Sequence, residues 1–375
     1  MRDKIQLRRF SRSFRAMGTD VQLWLWSDHE QRANQALAAG ERFFAQTEAR
    51  LTRFDPNSEL SRLNRAAGQP FAASSVLFGL VAEALAWRDR TGGIFDPAVL
   101  HSLIAHGYDR TFSAVAARQA AEAAGADDQP PSAPPDLPRP KSSGVDSSGV
   151  QLLPGRRILL PAGVGLDLGG IAKGWTIQQV AHRLGMWRPC LVDAGGDIAC
   201  TGITPDGPWV VTVADPLDEE SDAAVLSLSN GAVATSSRVK RRWQHAGKPA
   251  HHLIDPRTGA PAETDLLSVT VTGAKLPDVE IHAKCALILG AQRGLAYLEQ
   301  QVGIAALLIG EDGRQWTSGG LEEKAYVSSH SFVERFRNQA PIQPGGNAGS
   351  QAGNRAERQA GSRIAQQGEP VVGSR

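Results

Sequence analysis

The sequence predicts an α+β protein of mixed β-sheets flanked by helices, and three observations carry that reading. Asp20 to Trp26 alternates Val21, Leu23 and Leu25 with Gln22, Trp24 and Trp26, the period of a half-buried strand. Residues 30–51 set Ala33, Leu37, Phe44 and Leu51 among Glu, Gln and Arg, the pattern of a helix covering one face of a core. The second half offers strand candidates at Cys190 to Val192, Trp209 to Ala214, Ala224 to Leu228, Leu267 to Thr272 and Ile304 to Ile309, with helices near 171–184 and 279–300.

In chain order, Pro56 and Asn57 mark a turn and Ser58 opens a short polar helix. Ser74 or Ser75 caps a helix that runs to Arg90, with Gly92 and Gly93 as its stop signal. From about Ala114 the chain is Ala-rich and then Pro/Ser/Gly-rich, too poor in large apolar groups to fold alone, so 114–149 reads as a flexible insertion. After about Arg337 the composition is Gln, Gly, Asn, Ser and Arg, that of a disordered tail. The organisation expected is an extension at 1–13, one domain over 14–336 carrying the insertion, and a tail at 337–375.

At 375 residues the chain is long enough for a large core. Hydrophobic residues at 41% and charged residues at 21% exclude a wholly disordered or fibrous chain. With 40 Lys+Arg against 39 Asp+Glu there is no overall basic field, which argues against nucleic acid as a partner. Cys190, Cys200 and Cys285 sit in apolar surroundings, as buried free thiols of a reducing compartment do. Residues 1–15 are basic without an apolar signal core, and no run approaches the roughly 18 apolar residues of a membrane span. A cytoplasmic protein is the expectation.

The chemistry centres on Asp167-Leu-Gly-Gly-Ile-Ala-Lys-Gly174, where a strand-like run gives way to a helix-like run that would begin near Gly170. Gly169 and Gly170 would leave amides uncovered at a helix N-terminus, where the dipole favours an anion, and Lys173 adds a positive charge. An acidic phosphorylated ligand fits. An ordinary glycine-rich turn with a surface lysine fits the octapeptide as well, so companion motifs must decide. They are Met17-Gly18-Thr19, Phe95-Asp96-Pro97, Asp193-Ala-Gly-Gly-Asp197-Ile198 and His252-Leu-Ile-Asp255-Pro-Arg257-Thr-Gly259. Each alone is an ordinary turn or a structural histidine; their joint order is more specific.

That order resembles the flavin transferases of the ApbE type, FAD:protein FMN transferases whose motif series runs MGT, FDP, DLGGIAKG, GG[DE]I and HIIDPRTG. The resemblance covers about residues 14–318. It implies an ApbE-like fold with a central FAD cleft, FAD as substrate, and Mg²⁺-dependent cleavage of its pyrophosphate. FMN would pass through a phosphoester to a Thr or Ser hydroxyl of an acceptor flavoprotein, and AMP would leave. Such a reaction needs charge neutralisation and positioning, which the glycine turn, Lys173 and a cation can supply. His252 can accept the proton of the attacking hydroxyl, with Asp255 orienting it or another group. Carried over by position, Met17 and Phe95 border the isoalloxazine, Asp96 and Asp167 hydrogen-bond the flavin or adenosine, and Thr235, Ser236 and His252 line the same site.

The metal positions depart from the family. The Asp and Thr that ligate Mg²⁺ four residues apart, with a carbonyl from the glycine turn at Gly170, align here with Glu280 and Lys284. Glutamate can ligate the ion; a protonated lysine cannot, and would tend to replace it by pairing with Glu280 or the pyrophosphate. Asp278 lies near enough to compensate. A divergent FAD-binding or FAD-hydrolysing protein without transfer activity is the alternative.

Overall fold

The computed structural model describes residues 6–123, 146–186, 188–218, 220–321, 325–327 and 362–364. The strand foreseen at Asp20 is β2 (Thr19–Ser27), and it pairs along its whole length with β1 (Arg8–Ala16), which begins inside the expected extension. Arg8, Arg9, Arg12 and Arg15 mask β1 as a merely basic segment, while Phe10 and Phe14 pack on the core. β1 is an edge strand of its sheet, and charge along such an edge blocks further pairing. Met17 and Gly18 close the hairpin with φ of +53° and +72°, the hand that matches strand twist.

Helix α1 (Glu30–Leu51) buries Ala33, Leu37, Phe44 and Leu51 as their spacing predicts. Ser58 caps α2 (Glu59–Arg65), accepting from the Ser61 amide at 3.0 Å. The α2 helix is less polar in effect than its letters, with Leu60, Leu63 and Asn64 all buried. After β3 (Pro70–Ala72), Ser74 caps α3 (Ser75–Arg90) by accepting from the Leu77 amide at 3.2 Å. Next come α4 (Leu100–Ala105) and α5 (Phe112–Ala123). The latter occupies the first part of the expected insertion, with Val115 fully buried, because an alanine-rich run is also a good helix former. Residues 124–145 lie outside the described residues, and Ser147–Gly149 form a 3₁₀ turn.

The chain continues through β4 (Gln151–Leu153), β5 (Arg157–Leu159), α6 (Ala172–Gly185), β6 (Cys190–Ala194), β7 (Asp197–Thr201), β8 (Trp209–Ala214), β9 (Asp222–Leu228) and β10 (Gly231–Ser237). Short hairpins β11 (Arg242–His245) with β12 (Lys248–His251) and β13 (Ile254–Asp255) with β14 (Ala260–Pro261) precede β15 (Leu266–Gly273). The single helix expected near 279–300 is two, α7 (Leu276–Leu289) and α8 (Ala291–Glu299). Gly290, at φ +81°, makes the break, and Asp265 accepts from the Ala291 amide at 2.8 Å. Strands β16 (Ala305–Gly310), β17 (Gln315–Ser318), β18 (Ala325–Val327) and β19 (Ser362–Ile364) complete the described chain. Strand β19 falls within the expected tail, and the rest of 337–375 lies outside the described residues.

An eight-stranded sheet runs β1-β2-β6-β7-β10-β15-β16-β17, with a four-stranded sheet β18-β9-β8-β19 and a small one, β3-β5-β4. Every pairing among these described strands is antiparallel, and helices flank the sheets, so the α+β class holds. One face of the large sheet packs on α1, α6 and α7 through Leu37, Phe44, Ile177, Val180 and Val279. Its other face packs on β8 and β9 through Trp24, Ile198, Val211 and Ile309. A separate core joins α2, α3 and residues 158–172 to Ile281 and Cys285 of α7. Each fully buried Leu or Ile in these cores contributes roughly 1.5–3 kcal/mol. The α7 helix thus gives one stripe to each core, and the residues between its stripes stand at the junction. All three cysteines are free and buried, and burial pushes their thiols up to about 12.

Candidate active site

The site is assembled by turns at one end of the large sheet. Strands β2 and β6 are neighbours, with Val21 opposite Ala194, so their hairpin ends at Met17-Gly18 and Gly195-Gly196 lie side by side. Gly195 and Gly196 have φ of +67° and +91°, and a Cβ at Gly195 would collide with Thr19 Oγ1. This tight turn delivers Asp193 and Asp197 together. Asp193 accepts from the Gly196 amide at 2.8 Å, and burial raises its carboxyl to about 7, with Asp197 adding to the rise. Asp197 is bound by the Lys173 ammonium and accepts from the Thr235 amide at 3.2 Å.

The glycine turn is clamped from the other core. Asn64 of α2 holds Leu166 through both its amide and its carbonyl, at 2.8 and 2.9 Å. The Asp167 amide donates to Pro97 O at 2.8 Å, which sets the Phe95-Asp96-Pro97 segment alongside. Asp167 accepts from Arg53 Nε at 2.7 Å and from the Gly169 amide at 2.7 Å. The Arg53 guanidinium is itself stacked over Phe54 and Tyr108, 4.2 and 4.6 Å from the ring centroids. Helix α6 begins at Ala172, two residues later than expected, and the Gly174 amide donates to Glu280 Oε2 at 3.0 Å. The Gly169 amide, expected to be open to an anion, therefore already holds a carboxylate of the protein, as the Gly174 amide does.

Cations converge on the same place. Lys284 Nζ lies over Gly170 so closely that a Cβ there would collide with it, and 5.7 Å from the Phe95 centroid. Burial lowers the Lys284 pKa, against the pull of Glu280 and Asp167. Lys240 donates to Gly195 O at 3.4 Å, and burial lowers it to about 8, Lys173 adding to the fall. Arg241 approaches Gly18, with Nη2 3.8 Å from a Cβ placed there. His252 is held well below its usual pKa by burial, then by the charges of Arg241 and Lys284. Its Nδ1 is buried with no hydrogen-bond partner among the described residues. The imidazole is thus neutral at pH 7, with a buried ring nitrogen that has no partner among the described residues.

The remaining expected residues divide. Met17, in its strained turn, touches both cores, and Phe95, 4% exposed, is a floor beneath Gly170. Asp96 is spent on structure: it accepts from Ala98 and Ser147 amides at 2.7 and 3.1 Å and from Arg88 Nε at 3.2 Å. Asp255 does not orient His252, because both its oxygens are taken by Arg257, at 2.9 and 2.7 Å. Alternation along β10 separates Thr235 from Ser236. Ser236 shares the face of Ala234 toward the helices, and Thr235 Oγ1 lies 2.9 Å from Thr270 Oγ1 on the other. Thr235 reaches Asp197 through its amide alone.

The Mg²⁺ donor set implied by the resemblance does not fit. Glu280 Oε2 caps α6, burial keeps its carboxyl above the ordinary range, and an ammonium stands over Gly170 where the metal's carbonyl ligand would be. Asp278 does not compensate, since its charged neighbours are Glu83, Lys275 and Arg90. Among the described residues no group of three or more His, Cys, Asp or Glu could hold a metal. Sequence reasoning missed Arg53, Lys240 and Arg241. The run Lys240-Arg241-Arg242 looks like surface charge, and only the fold turns two of its members inward.

A sequence model described as the ApbE family matches residues 17–308. The chain belongs to the ApbE family. Relatives include the FAD:protein FMN transferase of Treponema pallidum, 30% identical over 88% of this chain and 92% of that protein. The enzyme of the same name from Vibrio cholerae is 26% identical over 79% of this chain and 84% of its own length. Among solved structures, the ApbE protein of Thermotoga maritima superposes with a TM-score of 0.71, at 22% identity, over 84% of this chain and 99% of its own. The Vibrio cholerae flavin transferase ApbE gives 0.67 at 22% identity, over 85% and 100%. These structures share the fold; family membership rests on the sequence match.

Proposed function

We infer that the chain is an FAD:protein FMN transferase acting on an acceptor flavoprotein. The observation that carries this reading is a neutral His252 whose Nδ1 is unpartnered among the described residues, under the charges of Arg241 and of Lys284, which stands over the glycine turn. A pyrophosphate under attack needs cations around its oxygens and a base for the entering hydroxyl, and this end of the sheet holds both.

In the proposed reaction an acceptor Thr or Ser oxygen attacks the FMN phosphorus of FAD. Its proton passes to His252 Nδ1. The P–O bond to the AMP phosphate breaks, AMP leaves with the bridging oxygen, and FMN remains as a phosphoester. Arg53, fixed between Phe54 and Tyr108, holds Asp167 and through it the glycine turn in one geometry. The Lys173–Asp197 pair fixes the start of α6 against β7.

A flavin carrier without transfer activity is not favoured, since the relatives that span most of this chain bear the transferase name. Among the described residues no helix is long and apolar enough to cross a membrane. Three buried free thiols suit a reducing compartment, and we place the protein in the cytoplasm on that ground. The test is to incubate the protein with FAD and a flavoprotein domain bearing an accessible Thr or Ser, then measure the acceptor's intact mass and free AMP. A gain of FMN less water, with equimolar AMP, is expected. AMP released without any acceptor adduct would instead favour FAD hydrolysis.

A further inference from the structure

We propose that the Lys284 ammonium occupies the place of the divalent cation, so that this chain binds the FAD pyrophosphate without a metal. The inference rests on the functional reading above and concerns the charge that receives the diphosphate.

Three observations carry it. Lys284 Nζ sits directly over Gly170, so close that a Cβ on that residue would displace it. Among the described residues no carboxylate comes within ion-pair distance of this ammonium, and the attraction of Glu280 and Asp167 reaches it from farther off. Both acids are engaged elsewhere: Glu280 Oε2 with the Gly174 amide, Asp167 with Arg53 and the Gly169 amide. A cation that is half-buried and has no counter-ion among the described residues is an electrostatic receptor for an anion. A diphosphate lying along the glycine turn would supply the missing charge.

The donor set excludes the competing occupant. An ammonium offers three N–H donors and no lone pair, and its positive charge repels a dication. The one carboxylate within a helical turn, Glu280, has a raised pKa from burial and an oxygen committed to α6. Lys173 cannot serve as the receptor in its stead, because Asp197 already neutralises it.

The experiment measures FAD affinity by quenching of flavin fluorescence, in EDTA and in excess Mg²⁺, for wild type, Lys284→Met, Lys284→Arg and the double variant Glu280→Asp/Lys284→Thr. Mn²⁺ binding is followed by electron paramagnetic resonance, and thermal melting checks that each variant folds. The wild type is expected to bind FAD equally in EDTA and Mg²⁺ and to hold no Mn²⁺. Lys284→Met should lose about a hundredfold or more in both conditions, while Lys284→Arg keeps most of the affinity. The double variant should bind Mn²⁺ and need a divalent ion for FAD. Wild-type FAD binding that collapses in EDTA, or a folded Lys284→Met that binds FAD as the wild type does, would overturn the proposal. Failure of the wild type to bind FAD in either condition would overturn the functional reading on which it rests.

Discussion

Lys173 and Lys284 both stand at the glycine turn, and only one of them is neutralised among the described residues. Lys173, on α6, is spent on Asp197 of β7; Lys284, on α7, has no counter-ion within reach among the described residues. The sequence favours Lys173, which lies inside the recognised octapeptide, and treats Lys284 as an anomaly. The structure reverses that ranking. A lysine in a motif can be a structural strut, and the available charge is the one whose partner must arrive with the ligand.

The largest effect expected concerns the base beside Lys284. His252→Ala should lower the transfer rate by about 10²–10⁴-fold while FAD affinity, read by fluorescence, changes little. The pH profile sharpens the assignment. Because burial and neighbouring cations depress the folded-state pKa of His252, the neutral, active form persists below the ordinary value of 6.5. The acid limb of the transfer rate should therefore lie below pH 6.5. A limb centred at or above that value would mean that another group takes the proton.

Gly170→Ala attacks the Lys284 side alone. Its methyl would meet Lys284 Nζ and, at 3.2 Å, the Phe95 ring, so the flexible ammonium must swing away. Weakening of FAD binding by about a hundredfold is expected, as for a charge displaced by a few ångströms in a medium of effective dielectric near 20. Melting should shift by only a few degrees. Unchanged FAD affinity would show that the ammonium over Gly170 does not touch the ligand.

The Lys173 side should answer differently. Asp197→Asn removes the counter-ion and is expected to destabilise the fold by about 2 kcal/mol, less than a fully buried pair would lose because Lys173 is partly solvated. Chemical denaturation measures it, and a loss confined to FAD affinity would make Lys173 a ligand-binding group after all. The smallest effect is expected farther off, at Asp255→Asn, which breaks the paired contact to Arg257. About 1 kcal/mol of stability should go, with transfer turnover kept. A tenfold drop in turnover would restore Asp255 to the reaction.

Much of the fold was legible because its signals are local. The alternation of β2, the apolar stripe of α1 and the serine caps of α2 and α3 each report on a few neighbouring residues. What escaped notice was decided by distant partners. Strand β1 is recognisable only once β2 supplies its register, and after the break at Gly290 the Ala291 amide is capped by Asp265, 26 positions before it. The candidate site divides in the same way. His252 and the glycine turn could be named from their motifs, but Arg53, Lys240 and Arg241 carry no motif and acquire a role through proximity alone.

The sequence by itself determined the class, the family resemblance and the identity of the unusual pair, Glu280 and Lys284, because helical spacing and motif order are properties of the letters. Whether a carboxylate was free or a lysine paired was decided only by tertiary structure. Asp96, Asp167, Asp255 and Glu280 all looked available, yet each is held by an amide or an arginine. Charge availability is a sum over everything that packs nearby. Lys284 is left as the open charge because α7, wedged between two cores, carries it to the glycine turn, where the nearby acids are already engaged.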